Sequence, residues 1–134
     1  MFVDTSGWIA FVSLNDANHA AADLLLSRAI AHRMRLFTSD LVLAEVHRLL
    51  LFRAGIKAAA TAIDKVASSA SVRLEYASAD HHRGARAWLD KLADHAITLT
   101  DAVSFAMMDA TRCRVAVTFD RDFWIAGFER FESR

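Results

Sequence analysis

Four acidic residues occur at positions where their carboxylates could meet in one site. Asp4 and Asp120 each follow a short β-type run, Glu45 lies within a helix-like run, and Asp101 begins another. Carboxylates that meet in one site repel one another unless a divalent cation neutralises them. The repulsion is roughly 3 kcal/mol for a pair 5 Å apart at an effective dielectric constant near 20. Because all-oxygen ligation favours hard ions, the expected cofactor is Mg²⁺ or Mn²⁺. Such ions can activate water for attack on a phosphodiester.

Three of these acids also have a purely structural interpretation. Asp4 and Asp120 stand before helical runs, where aspartate commonly caps a helix. Asp101 follows Thr100, which is the expected cap, and an acid in the first helical turn stabilises the helix dipole by about 0.3–1 kcal/mol. Asp101 nevertheless projects onto an apolar helix face, which indicates a second role at the edge of the core.

Glu45 is harder to explain as a surface residue. Its neighbours on the helix surface are Leu41, Leu49 and Phe52, so the carboxylate emerges from a largely apolar arc. An unpaired ion is costly to bury, so Glu45 must meet a cation, be protonated or reach a wet edge of the fold. The alternative is an ion pair with Arg48, one turn further along the helix.

Several neighbours of these acids are further site candidates. Asp122 is an additional candidate metal ligand two residues after Asp120. The hydroxyls of Thr5, Ser6 and Thr118 are expected to orient ligands or bind a phosphate oxygen.

Nucleic-acid binding would have to come from a local cluster of positive charge, because the formal net charge of the chain is zero. The arginines that lie near the acids in sequence are Arg48, Arg112 and Arg121, and we expect them to contact phosphates. Of the aromatic residues, Trp8 on the helix after Asp4 is expected at a dimer contact.

The elements that position the acids alternate between β and helical patterns. The β-type runs cover residues 2–3, 36–37, 72–76, 115–118 and 128–131, and the helical runs cover residues 6–14, 19–34, 40–54, 56–68, 80–93 and 100–112. This order predicts an α/β fold with a parallel sheet covered on both faces. Ligands bind such sheets outside the carboxyl ends of the strands, which is where Asp4 and Asp120 are expected.

Composition favours one intracellular domain covering residues 1–134. No proline, Gly/Ser-rich linker or repeat marks a boundary in the 134 residues. A single cysteine, Cys113, excludes an intramolecular disulfide and a thiolate-rich metal site, as expected of a cytoplasmic protein. No apolar run approaches the roughly 20 residues that span a bilayer, so no membrane role is expected.

Four segments together resemble the PIN-domain family, and within it the VapC-type toxins of bacterial toxin–antitoxin pairs. They are residues 3–6, 39–46, 99–102 and 118–123, and their order and spacing span almost the whole chain. The resemblance implies a three-layer α/β/α sandwich with a central, mostly parallel sheet. It also assigns metal binding to Asp4, Glu45, Asp101 and Asp120, with Asp122 less firmly assigned.

The resemblance further implies a function. A protein of this family is expected to be a Mg²⁺- or Mn²⁺-dependent endoribonuclease that hydrolyses RNA phosphodiester bonds. The VapC-type members imply a homodimer that is inhibited by a cognate antitoxin protein. The alternatives are a PIN-type nuclease of RNA processing that is not a toxin, and a non-catalytic binding module with the same fold.

A phosphatase or phospho-acceptor domain would also place aspartates at strand ends. Asp4 lacks the second aspartate two residues later that such a site requires, and no lysine follows the last strand. The four glycines form no phosphate-binding loop, so nucleotide hydrolysis has no support either.

Overall fold

A parallel sheet of five strands forms the centre of the fold in the computed structural model, which describes residues 1–132. The strands are β1 (Phe2–Val3), β2 (Leu36–Ser39), β3 (Val72–Glu75), β4 (Val115–Val117) and β5 (Glu129–Arg130). The helices are α1 (Thr5–Val12), α2 (His19–Ala31), α3 (Asp40–Ala54), α4 (Ile56–Ala67), α5 (Ala79–Lys91), α6 (Leu99–Ala110) and α7 (Arg121–Ile125). The order of the strands in the sheet is β3-β2-β1-β4-β5, and each neighbouring pair is parallel.

Helices cover both faces of this sheet. Both residues of β1 and all four residues of β2 are buried. Since neighbouring residues of a strand point to opposite faces, burial of consecutive residues requires packing on each side. The predicted α/β class with a sheet between helical layers is confirmed, and the sheet is parallel throughout the described residues.

The predicted elements are present, with two kinds of difference. The short helix α7 was not predicted, because five residues are too few for a helical periodicity to show. The ends of elements also differ: α1, α2, α5 and α6 end two or three residues earlier than predicted, and β2 is two residues longer. Helices α2 and α6 end early because Arg33 and Arg112 adopt positive φ angles of 53° and 54° just beyond them. Such turns usually contain glycine, so an arginine there gives no stop signal in the sequence.

Helix α1 and strand β4, which are far apart in the sequence, approach each other closely. A Cβ atom placed on Gly7 would lie 2.6 Å from the carbonyl oxygen of Val117, so only glycine allows this packing. Directly after Gly7, the indole of Trp8 donates to the hydroxyl of Thr38, 3.1 Å away. Trp8 is only 4% exposed, so the predicted dimer contact at Trp8 is wrong: the side chain belongs to the core.

No helix among the described residues is both long and apolar enough to cross a bilayer.

Candidate metal centre

Acidic side chains from four segments line one pocket at the carboxyl edge of the central strands. Asp4 directly follows β1, Asp120 follows β4, Glu45 lies on α3 after β2, and Asp101 lies in the first turn of α6. All four line the same pocket of about 350 Å³. The structure therefore brings together the acids that were expected to converge.

Asp4 lies at the buried base of this pocket. Its side chain is the N-cap of α1, and Oδ2 accepts hydrogen bonds from the backbone N–H of Ser6 at 3.3 Å and the hydroxyl of Ser6 at 3.0 Å. The hydroxyl of Thr118 donates to the same oxygen at 3.2 Å. Asp4 is thus both a helix cap and part of the acidic cluster, so the structural and functional interpretations apply together.

The hydrogen bonds of Asp4 do not compensate for its burial. Loss of solvation raises the pKa of the Asp4 carboxyl from 3.8 to about 7, although the backbone N–H of Thr5 and the Ser6 hydroxyl act in the opposite direction. The nearby charge of Asp101 raises the pKa further. A carboxylate in this position needs a cation beside it to be fully ionised at neutral pH.

Asp101, like Asp4, both stabilises the start of a helix and belongs to the acidic cluster. Helix α6 begins at Leu99, and its N-cap is Thr98 rather than the expected Thr100. The backbone N–H of Thr98 donates to the Asp101 carboxylate at 2.9 Å, and the N–H of Asp101 donates to the Thr98 hydroxyl at 3.1 Å. This capping box holds the carboxylate at the pocket.

The pKa of Asp101 is raised in this position. Loss of solvation is the largest cause, and the charges of Asp120 and Glu45 add to it, against the opposing effect of the hydrogen bonds to Thr98. The Asp101 carboxylate is therefore close enough to both other acids for repulsion, as the crowding of the cluster predicts.

Asp101, Asp120 and Asp122 form the tightest group of acids. One carboxylate oxygen from each lies within 4.8 Å of the others, close enough for all three to ligate one ion. Asp120 caps α7 by accepting the N–H of Asp122 at 2.9 Å. The short helix α7 thus fixes the relative positions of two of the three carboxylates.

Glu45 is half-buried at the same pocket. Among the described residues it forms no ion pair with Arg48, whose guanidinium lies over the ring of Phe52 at 5.9 Å from the centroid. The Arg48 alternative for Glu45 is therefore not formed, and the carboxylate faces the other acids.

The three predicted hydroxyl residues surround Asp4. Ser6 joins two strand ends, because its hydroxyl also accepts the backbone N–H of Phe119 at 2.9 Å. Thr118 is buried and its hydroxyl accepts the N–H of Asp120 at 3.0 Å. Thr5 is 7% exposed, lines the pocket, and its hydroxyl has no hydrogen-bond partner among the described residues. A buried hydroxyl normally has a partner, so the Thr5 hydroxyl is an unsatisfied polar group in the wall of the pocket.

Three polar residues of the pocket wall were not predicted: Asp16, Asn18 and Arg53. Asp16 accepts the N–H of Asn18 at 2.8 Å in the turn between α1 and α2. In the sequence such a turn has an ordinary structural explanation, so nothing indicated that it would reach the acids.

The predicted arginine cluster needs correction. Arg112 lies beyond the far end of α6 from Asp101, roughly 16 Å along the helix axis at 1.5 Å per residue, so it is not near the pocket. Arg48 is exposed but does not line the pocket, whereas Arg53 on the same helix does. Arg121 directly follows Asp120 in the sequence, but it lines a neighbouring groove rather than the acidic pocket.

The donor set defines the chemistry that this pocket can support. Every acidic ligand candidate offers oxygen, and within residues 1–132 no histidine or cysteine joins the group of three aspartates. Such a set suits Mg²⁺ or Mn²⁺ rather than Zn²⁺. The pocket is open to solvent and lies at the sheet edge where α/β folds bind ligands, so a phosphate group can reach it.

Residues 1–128 match the model of the PIN domain. The chain therefore belongs to the PIN-domain family, and the resemblance noted in the sequence is confirmed.

Two named ribonucleases of Mycobacterium tuberculosis are similar to this chain over most of its length. The chain is 38% identical over 128 residues to the 23S rRNA-specific endonuclease VapC20, covering 96% of this chain and 95% of the relative. It is 30% identical over 122 residues to Ribonuclease VapC26, covering 90% and 87%. A crystal structure of VapC20, described as a toxin that cleaves the sarcin-ricin loop, matches with a TM-score of 0.83 at 37% identity and covers 95% of each chain.

Proposed function

We propose that this protein is a Mg²⁺- or Mn²⁺-dependent endoribonuclease and the toxin of a toxin–antitoxin pair. The observation that carries the proposal is the group of Asp101, Asp120 and Asp122, whose carboxylate oxygens lie within 4.8 Å of one another beside the buried Asp4. The PIN family and the similarity to VapC ribonucleases support the same conclusion.

The acids have different roles in this proposal. Asp4, Glu45, Asp101 and Asp120 hold the metal, with Asp122 as an additional ligand. When bound, the ion supplies Lewis acidity and lowers the pKa of water for attack on a phosphodiester. Ser6 and Thr118 orient Asp4 through their hydrogen bonds.

Thr5 has a separate role toward the substrate. Its buried hydroxyl has no partner among the described residues, and Thr5 lines the pocket. We assign this hydroxyl a hydrogen bond to a non-bridging oxygen of the phosphate that undergoes attack. This bond would satisfy the hydroxyl only when RNA is bound.

The similarity to VapC20 extends the proposal to the substrate and partners. We propose a structured ribosomal RNA loop, the sarcin-ricin loop of 23S rRNA, as the first substrate to test, since VapC20 is described as acting there. We further propose that the protein acts in the cytoplasm as a homodimer and that a cognate antitoxin inhibits it.

The test is cleavage of a 23S rRNA stem-loop fragment by the purified protein, free of any partner. Cleavage is expected in Mg²⁺ or Mn²⁺ and is expected to stop in excess chelator. Asp101→Asn should lower cleavage at least 100-fold, a loss of about 2.7 kcal/mol of transition-state stabilisation.

A matched control separates the site from general surface charge. Asp90→Asn removes an exposed carboxylate that pairs with Arg86 on α5, away from the pocket, and should leave cleavage unchanged. Cleavage that persists in chelator and in Asp101→Asn would rule out the metal mechanism. Normal cleavage of other RNAs without cleavage of the 23S fragment would reject only the ribosomal substrate.

A further inference from the structure

A second groove adjoins the acidic pocket and shares two residues with it. It has a volume of about 700 Å³ and lies between α7 and the end of the sheet formed by β4 and β5. Phe119 and Asp120 line both this groove and the acidic pocket. A polymer held at the acids can therefore continue directly into the groove.

The most exposed large aromatic side chain of this groove is Trp124. Its exposed fraction is 78%, whereas Trp8 is 4% exposed and Trp88 is half-buried. Within residues 1–132, the Trp124 indole makes no ring contact and no side-chain hydrogen bond. Its backbone is held firmly, because Phe123 beside it is 1% exposed and Asp120 caps the helix. A flat apolar surface is thus presented to solvent on a fixed support.

Arg121 stands beside Trp124 on the outer side of α7. Residues three apart in a helix lie on the same face, and both side chains are exposed and line the groove. Arg121 forms no ion pair within the described residues, whereas Arg130 further along the groove pairs with Glu132 at 3.8 Å.

The charges of the groove limit what it can bind. Glu129 and Glu132 also line it, so the groove is not a continuous cationic track for a phosphate backbone. A free guanidinium beside an exposed indole instead suits a single unpaired nucleotide, whose base stacks on the aromatic ring and whose phosphate meets the arginine.

We propose that Trp124 is a nucleobase subsite, on which one unpaired base of the RNA stacks next to the phosphate held at the acids. Arg121 contacts the phosphate of that nucleotide. Trp124 stands four positions after Asp120, roughly 6 Å along the axis of α7, so the stacked base belongs to a nucleotide that neighbours the reacting phosphate. This subsite rests on the proposed ribonuclease function and identifies a specificity-determining residue for it.

The first test compares cleavage of the 23S rRNA stem-loop fragment in Mn²⁺ by a set of variants. Trp124→Ala and Trp124→Leu should each lower kcat/KM about tenfold, because neither offers an aromatic face, whereas Trp124→Phe should retain most of it. Tyr76→Ala is the matched control, since Tyr76 is 71% exposed but follows β3, at the far end of the sheet from β4. It should cleave normally.

The second test observes the indole directly. The protein is titrated with dye-labelled stem-loop RNA in Ca²⁺, with intact RNA checked on a gel, and binding is followed through the dye. Stacking should quench the tryptophan emission in step with binding, and Trp124→Phe should abolish the quenching while Mn²⁺ binding stays unchanged. Tryptophan emission that does not change when the protein is saturated with RNA would overturn the subsite.

The remaining outcomes separate this proposal from the function on which it rests. If the wild-type protein cleaves RNA and all Trp124 variants match it, the subsite is wrong and the ribonuclease stands. If the wild-type protein neither binds nor cleaves RNA, the ribonuclease function fails and the subsite with it. If Trp124→Ala changes the molar mass in light scattering, Trp124 lies at an interface between copies and the subsite is overturned.

Discussion

The hydroxyl of Thr118 donates to Oδ2 of Asp4 at 3.2 Å and so joins the residues that follow the two neighbouring strands β4 and β1. The same hydroxyl accepts the backbone N–H of Asp120 at 3.0 Å. Because a hydroxyl has a single hydrogen, donating to Asp4 leaves it an acceptor for Asp120. One buried threonine therefore fixes the positions of two acids that are 116 residues apart in the sequence.

The raised pKa of Asp4 makes the metal-free protein less stable as the pH rises. Between pH 3.8, where the unfolded carboxyl loses its proton, and about 7, the folded state retains a proton that the unfolded state has released. The free energy of unfolding should therefore decrease across this range and level off above it. Urea unfolding in chelator at a series of pH values measures the slope, and Asp4→Asn should flatten it. An equal slope in the variant would assign the pH dependence to other groups.

The same proton must leave when a metal binds. Affinity for Mn²⁺ should increase with pH up to about 7, because Asp4 is then ionised, and change little above. Calorimetry in two buffers of different ionisation enthalpy measures the proton released on binding. Release of no proton at pH 6 would show that Asp4 is not a ligand.

Asp101→Asn separates the capping role of Asp101 from its charge. Asparagine still offers an oxygen to the N–H of Thr98, which Asp101 accepts at 2.9 Å, so the cap is kept while the charge is removed. In chelator the variant should melt at the same temperature as the wild-type protein or higher, and its advantage should increase from acid to neutral pH, because the pKa of Asp101 is raised. The additional stabilisation by Mg²⁺ should be smaller than in the wild-type protein.

Asp101→Ala is the companion variant, because it removes the hydrogen bond that Asp101 accepts in the capping box as well as the charge. It should cost about 0.5–1.5 kcal/mol relative to Asp101→Asn in chelator. Thermal melts of both variants, with and without Mg²⁺, give the comparison. If Asp101→Asn melts lower than the wild-type protein in chelator and the shift caused by Mg²⁺ is unchanged, Asp101 is a structural residue only.

Gly7→Ala tests the packing that supports Asp4. The added Cβ atom would lie 2.6 Å from the carbonyl oxygen of Val117, and a central strand cannot move aside easily. We expect a loss of about 1–3 kcal/mol in unfolding free energy, together with reduced cleavage. Gly84→Ala is the control: it gains the same helix propensity, but meets only the methyl group of Ala106 at 3.0 Å between two helices. Equal stability of the two variants would contradict the close approach.

The sequence was most informative about the positions of the two acids that follow strands. Asp4 and Asp120 could be placed at the carboxyl edge because the β-type runs before them are short and clear, and a parallel sheet puts such ends on one side. The convergence of Glu45 with Asp101 depends instead on how α3 and α6 pack. That packing is set by side chains distant in sequence, so the sequence indicated it only through the apolar surroundings of Glu45 and Asp101 and through the family resemblance.

The turn and helix-end residues show where prediction from sequence failed. Arg33 and Arg112 end helices in a conformation that usually contains glycine, so both helices were expected to continue. Arg112 was also expected at the site because it lies near the acids in sequence, but it is beyond the opposite end of α6. Trp8 was expected at a dimer contact, but its indole donates a hydrogen bond to the buried hydroxyl of Thr38 on β2.

The corrected positions of the arginines predict which of them bind phosphate. Arg53 lines the acidic pocket and Arg121 lines the adjoining groove, so each should contribute to RNA affinity. Each of Arg53→Gln and Arg121→Gln should reduce the slope of log K against log salt by about 0.7 for every phosphate contact that it removes.

Arg112→Gln is the matched control, since it removes the same charge beyond the far end of α6 and should leave the slope unchanged. Fluorescence anisotropy of a labelled stem-loop RNA at several salt concentrations measures all three variants and the wild-type protein. A change in Arg112→Gln as large as that in Arg53→Gln would mean that RNA responds to total charge. Equal slopes in all four proteins would place the phosphate contacts on other residues.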